Sequence, residues 1–151
     1  MLFRSQKMAI WVVVADAGRA RVFQAESLRG ELTEVMDKAD PLARVARTEL
    51  ASDEPGRQQS PGGRGLHGMQ DKVSPREAED ERFARELVAD VQGALDANRI
   101  ERFYLMAPPR FLGLLRKVAP DRVTNALAGD LDKDLTTHSV EDIRSHMAEL
   151  A

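Results

Sequence analysis

Cysteine is absent from this chain of 151 residues. That excludes disulfides, thiolate nucleophiles and zinc sites built on cysteine. Aromatic residues are scarce, at 5 % with a single tryptophan, so leucine, valine and alanine must fill most of a core. No run approaches the roughly 20 apolar residues that a membrane-spanning helix needs. Charge of one sign is also lacking. The formal net charge of −3 exerts no global pull on nucleic acid, so any such binding must come from a local patch. With 42 % apolar and 31 % charged residues, the composition is that of an ordinary globular protein, long enough for one core without staples.

The run 9–15 follows Arg4 and Lys7, but it is short for a secretion signal. Asp16, Arg19 and Arg21 stand where a small-residue cleavage site would be. The expectation is a cytoplasmic protein with no membrane contact. Residues 1–7 read as a flexible extension, and residues 8–151 as a single domain.

The stretch 8–16, Met-Ala-Ile-Trp-Val-Val-Val-Ala-Asp, reads as a strand buried on both faces, because a half-buried strand would alternate apolar with polar residues. β-Branching at Ile10, Val12, Val13 and Val14 favours the extended chain. Residues 20–26 and 32–38 read as second and third strands after short turns at Asp16–Arg19 and Leu28–Glu31, forming an antiparallel meander.

Residues 39–74 contain no aromatic residue and half of the glycines, with Pro55 and Pro61 among them. Such a segment buries too little apolar surface to offset its ordering entropy, so a long mobile loop is expected, with a helical turn near 42–50 as the one candidate element.

Order returns at Ser74-Pro75-Arg76-Glu77, a capping box with proline in the first helical position. The helix it opens should run over about 75–97, with Phe83, Leu87 and Val91 on one stripe. Residues 103–107 read as a fourth strand stopped by Pro108-Pro109. A short helix through Phe111, Leu112, Leu115 and Val118 follows, then a turn or two over 121–127. A fifth strand over 128–135 and a last helix opened by Ser139 complete the chain. Three antiparallel strands followed by alternating helices and strands predict an α/β mixed five-stranded sheet with helices on its faces. This is the element order of the ribonuclease H-like fold, whose strand order 3-2-1-4-5 puts the first strand in the centre.

Four collinear blocks then suggest a family: Trp11-Val12-Val13-Val14-Ala15-Asp16, Glu81-Arg82-Phe83-Ala84-Arg85-Glu86-Leu87, Ala107-Pro108-Pro109-Arg110-Phe111-Leu112-Gly113 and Asp132-Lys133-Asp134-Leu135-Thr136. Together they resemble the bacterial host-attachment protein family, which is similar to the middle domain of eukaryotic and archaeal class-1 release factors. Those factors carry a Gly-Gly-Gln loop between the third strand and the long helix, and it enters the peptidyl transferase centre. The corresponding loop here holds Gly62-Gly63-Arg64-Gly65. Adjacent glycines allow close backbone approach to RNA, and Arg64 adds a bidentate phosphate donor. Arginine does not supply the neutral amide of glutamine, so the resemblance, with this departure, implies a non-catalytic or weakly catalytic factor that binds the ribosome or another structured RNA.

A second cationic feature is the face carrying Arg110, Arg116, Lys117 and Arg122, a candidate for RNA phosphate. A protein partner for the same loop, in a host-attachment or interaction module, is an alternative. The fold also raises a metal-dependent nuclease, with Asp16, Asp132 and Asp134 as the carboxylates to test. Asp130, Asp132 and Asp134 alternate, so they share one face of a fifth strand or line a loop, and charge on an edge strand also deters edge pairing. The three histidines show no ligand spacing, and no triad, cofactor motif or complete metal site is visible. Nothing in the sequence sets the oligomeric state.

Overall fold

In a computed structural model of the protein, residues 8–40 and 74–150 are described. Strands β1 (Ala9–Asp16), β2 (Arg19–Ala25) and β3 (Thr33–Ala39) lead into helix α1 (Pro75–Asp96). Strand β4 (Ile100–Met106), helices α2 (Pro109–Val118) and α3 (Asp121–Ala126), and strand β5 (Leu127–Leu131) follow. Helix α4 (Val140–His146) and a 3-10 turn (Met147–Leu150) complete the described chain. The sheet order is β3-β2-β1-β4-β5, as the element order predicted. β2 is antiparallel to β1 and β3, whereas β1, β4 and β5 run parallel. The result is a mixed α/β sheet.

β1 occupies the centre because both of its faces are apolar. Trp11, Val13 and Ala15 pack with α1, α2 and α3, while Ile10, Val12 and Val14 pack with Leu135, Ile143 and Met147 behind the sheet. The indole N–H of Trp11 donates to Gln24 Oε1 at 3.0 Å across the β1–β2 pair, so its burial leaves no donor unpaired. Gly129 stands in a tightly packed place. A Cβ there would lie 3.3 Å from the Tyr104 ring and 3.4 Å from the Leu150 carbonyl.

Ser74 caps α1 as expected: its hydroxyl accepts from the Glu77 N–H at 3.0 Å, and Glu77 returns a bond to the Ser74 N–H. The helix ends where Asn98 takes φ 58°, a left-handed conformation that asparagine tolerates well.

Two element boundaries differ from the sequence expectation by more than one residue. β4 starts at Ile100 rather than at residue 103, because its first residues pair with the start of β1. β5 stops at Leu131, so the strand expected over 128–135 is shorter and the aspartates do not share a strand face. The cause is the partner strand. Met106 pairs with Leu131, the Ala107 N–H gives Leu131 O a last 3.1 Å bond, and Pro108 has no N–H to continue the ladder. Asp132 and Asp134 therefore fall in the loop after β5. The turn expected near 42–50 lies outside the described residues.

Candidate functional site

The carboxyl ends of β1, β3, β4 and β5 meet along one edge of the sheet, the edge from which α1 departs. Ligands of open α/β sheets favour this edge, and there Asp16, at the end of β1, meets Asp134, from the loop after β5, through Thr136.

Asp16 closes the β1–β2 turn. Its Oδ1 accepts from the Gly18 N–H at 2.8 Å and the Arg19 N–H at 2.9 Å, and its Oδ2 accepts from the Thr136 hydroxyl at 3.1 Å. The same hydroxyl lies 2.9 Å from Asp134 Oδ1, so one proton serves two carboxylates. Asp134 Oδ1 also accepts the Thr136 N–H at 3.2 Å. Arg21 locks this loop from the neighbouring strand. Its guanidinium donates to the carbonyls of Thr136 (3.2 Å) and His138 (2.8 Å), pairs with Glu34, and lies 5.1 Å over the Phe23 ring.

On the other side of the edge, the Asp40 N–H donates to Gly18 O at 2.9 Å, and its buried carboxylate pairs with Arg82 at 3.2 Å. Arg82 also holds Glu79 at 2.6 Å and Glu86 at 3.0 Å. Hydrogen bonds from Arg82 pull the Glu79 pKa below the ordinary glutamate value, and the same bonds raise that of Arg82. Asp80, fully buried on the inner side of α1, is met at 2.8 Å by Arg110 from the Pro-Pro-Arg turn. Its other oxygen, Oδ1, is buried without a hydrogen-bond partner among the described residues.

The four cations of the expected basic face each meet an acid. Arg110 pairs with Asp80, Lys117 with Glu81 at 3.2 Å, Arg122 with Asp96 at 2.6 Å, and Arg116 with Asp130. All four acids lie on α1 or β5, away in sequence from the basic segment, so a local count of charges could not register them. Glu81 has a lowered pKa because Arg85, and then Lys117, hydrogen-bond its carboxylate.

Chemically, the Asp16–Thr136–Asp134 cluster is a turn lock. Three of the roughly four acceptor directions of the Asp16 carboxylate are engaged. Asp132 is exposed and stands outside the cluster, and among the described residues no group of three or more acidic or histidine side chains could hold a metal ion.

A family model described as "protein required for attachment to host cells" matches residues 11–147. The chain belongs to that family. A search of curated proteins finds no match. Among solved structures, the chain is similar to an archaeal translation termination factor, aRF1, with a TM-score of 0.46 and 10 % identity. The likeness covers 93 % of this chain and 41 % of the archaeal one, so the chain spans less than half of that factor's length.

Within this host-attachment protein, the structure brings together Asp16 and Asp134 and leaves Asp132 apart. Gly62, Gly63, Arg64 and Gly65 lie outside the described residues. Sequence reasoning missed Thr136, Arg21 and Asp40. Thr136 stands out in the sequence only as part of its family block, and its role requires contact with Asp16, 120 residues away in sequence. Asp80 left one usable signal, an acid on the apolar stripe that continues through Phe83, Ala84 and Leu87. His138 and His146, unremarkable in spacing, stand edge to face with ring centres 6.5 Å apart. No helix among the described residues is long and apolar enough to cross a membrane.

Proposed function

We propose that this host-attachment-family protein is a cytoplasmic factor that binds structured RNA, with the ribosome as its partner. In this reading, residues 8–151 form one domain that presents Gly62, Gly63, Arg64 and Gly65 to phosphate. The observation that carries it is the position of the two chain ends flanking residues 41–73. Asp40 is bonded to the β1–β2 turn and to Arg82, and Ser74 caps α1, so both ends leave from the same edge of the sheet. In this reading the sheet edge is the rigid support, and Gly62, Gly63, Arg64 and Gly65 are the tip that meets the RNA. Adjacent glycines with one arginine suit such a tip to an RNA backbone. Without the amide of glutamine, the tip is a binding element and is non-catalytic or weakly catalytic.

A second reading, attachment through a protein partner, is favoured by the ion pairs of Arg110, Arg116, Lys117 and Arg122, which cancel much of the positive potential that RNA would need on that face. The engaged oxygens of Asp16 argue against a metal-dependent hydrolase built on that residue.

Sedimentation with ribosomes at low and moderate salt tests the first reading. The wild type should co-migrate at low salt and less at moderate salt, because phosphate contacts release counterions. A Gly62→Ala, Gly63→Ala, Arg64→Ala variant should stay at the top of the gradient. Wild type remaining at the top in both salts would overturn the RNA reading, and salt-insensitive co-migration shared by the variant would move the assignment to a protein contact.

A further inference from the structure

A partly open cavity of about 170 Å³ lies between α1, the α2–α3 junction and the sheet. Its existence follows from the residues that face one another. α1 presents Val88 and Val91, the break after α2 presents Ala119, and α3 presents Val123 and Thr124, all short side chains. α2 cannot continue across the space because Ala119 turns to an extended conformation before Pro120. The floor is made by Val13, Phe103 and Leu105 of the two central strands. Domain interiors close-pack, with few voids larger than a water molecule, and an apolar void of about 150 Å³ stays dry and takes up a benzene-sized guest.

We propose that this cavity is a binding site for a small neutral apolar molecule of single-ring size. Its walls are almost wholly hydrocarbon, and Thr124 and Arg116 are the polar residues that line it. Arg116 is engaged by Asp130, so an anionic head group would have to compete with that carboxylate, and a neutral guest need not. An inserted side chain from a protein partner fits less well. The helices around the mouth carry the Arg116–Asp130, Lys117–Glu81 and Arg122–Asp96 pairs, and the one large exposed hydrophobic residue among those described is Val35, on β3. A stable protein interface needs an apolar centre larger than one hole in a charged face. The assignment is independent of RNA binding.

The test is a titration of the full-length protein with toluene, and separately with benzoate, followed by the methyl resonances of valine and leucine. Toluene should give saturable shifts at Val88, Val91, Leu115 and Val123, and bind at least tenfold more tightly than benzoate. Val88→Phe, which places a ring in the space, should abolish the shifts while leaving the protein folded. Val123→Leu, a milder filling, should weaken binding severalfold, and Ile143→Val on the opposite face should leave it unchanged. Absence of saturable shifts in the wild type, equal binding by both filled variants, or tighter binding of benzoate would overturn the proposal.

Discussion

The two faces of the sheet are covered by different means. One face lies under the 22-residue α1 with α2 and α3, and packs Phe83, Leu87, Val91, Phe111 and Leu115 onto the central strands. The other lies under the seven-residue α4, a 3-10 turn and the loop after β5, with Leu135, Ile143 and Met147 as its main apolar contributions. A long amphipathic helix brings enough apolar area to hold itself down. A short helix and a loop do not, and here polar ties hold them: Thr136 to Asp16, Arg21 to the carbonyls of Thr136 and His138, and Arg144 to those of Arg29 and Gly30. The first face is held by area, the second by placed hydrogen bonds.

The largest expected effect comes from breaking the first face. Phe83→Ala, at a residue 1 % exposed and 6.2 Å from the Phe111 ring, should lower stability by about 3–5 kcal/mol in chemical denaturation. Ile143→Ala on the second face should cost nearer 2 kcal/mol, because a short helix settles more easily into the space left behind. Equal losses would remove the distinction. Thr136→Val keeps the shape and deletes the hydroxyl shared by Asp16 and Asp134. A cost of about 1–3 kcal/mol is expected, with faster amide exchange confined to residues 132–138 and the Gly18 turn. Exchange that instead accelerates throughout α1 would show the two faces to be one cooperative unit.

Ser74→Ala removes the cap of α1 and should cost about 1 kcal/mol, read as an earlier thermal midpoint with α1 fraying at its first turn. The smallest effect is the acid limb of stability. Asp37, hydrogen-bonded by Arg19, and Glu79, hydrogen-bonded by Arg82, have pKa values below their ordinary 3.8 and 4.5. Each binds its proton less readily when folded. Their contribution is complete above the unfolded pKa and is lost as pH falls below about 4 through the folded values. Both partners of the Arg19–Asp37 pair are more than a third exposed, so Asp37→Asn should flatten the acid limb only slightly, and less in high salt.

Much of the fold was legible in particular residues. The unbroken apolar run of β1 implied two covered faces, and Ile10 and Val13 do point into opposite cores. Ser74-Pro75-Glu77 marked the start of α1 to the residue. The end of β5 was not legible, because a strand stops where its neighbour stops offering bonds, and that neighbour ends at a proline 23 residues earlier in the chain, before Leu131. The polar edge was legible only in part. Asp16 and Asp134 stood out as acids, but their role as a turn lock depends on Thr136 and on Arg21, which come to the same place from distant segments.

Sequence by itself therefore determined the α/β class, the sheet order, the central strand and the caps, since each follows from local patterning and from the few connections a twisted sheet permits. Tertiary structure alone decided the charge of the α2–α3 face and the existence of the apolar cavity. Arg110, Arg116, Lys117 and Arg122 form a basic cluster in the sequence, and folding sets Asp80, Asp130, Glu81 and Asp96 against them. The physical reason is the same in both cases. Electrostatic potential and packing volume depend on which side chains are neighbours in space, and the chain order does not record that.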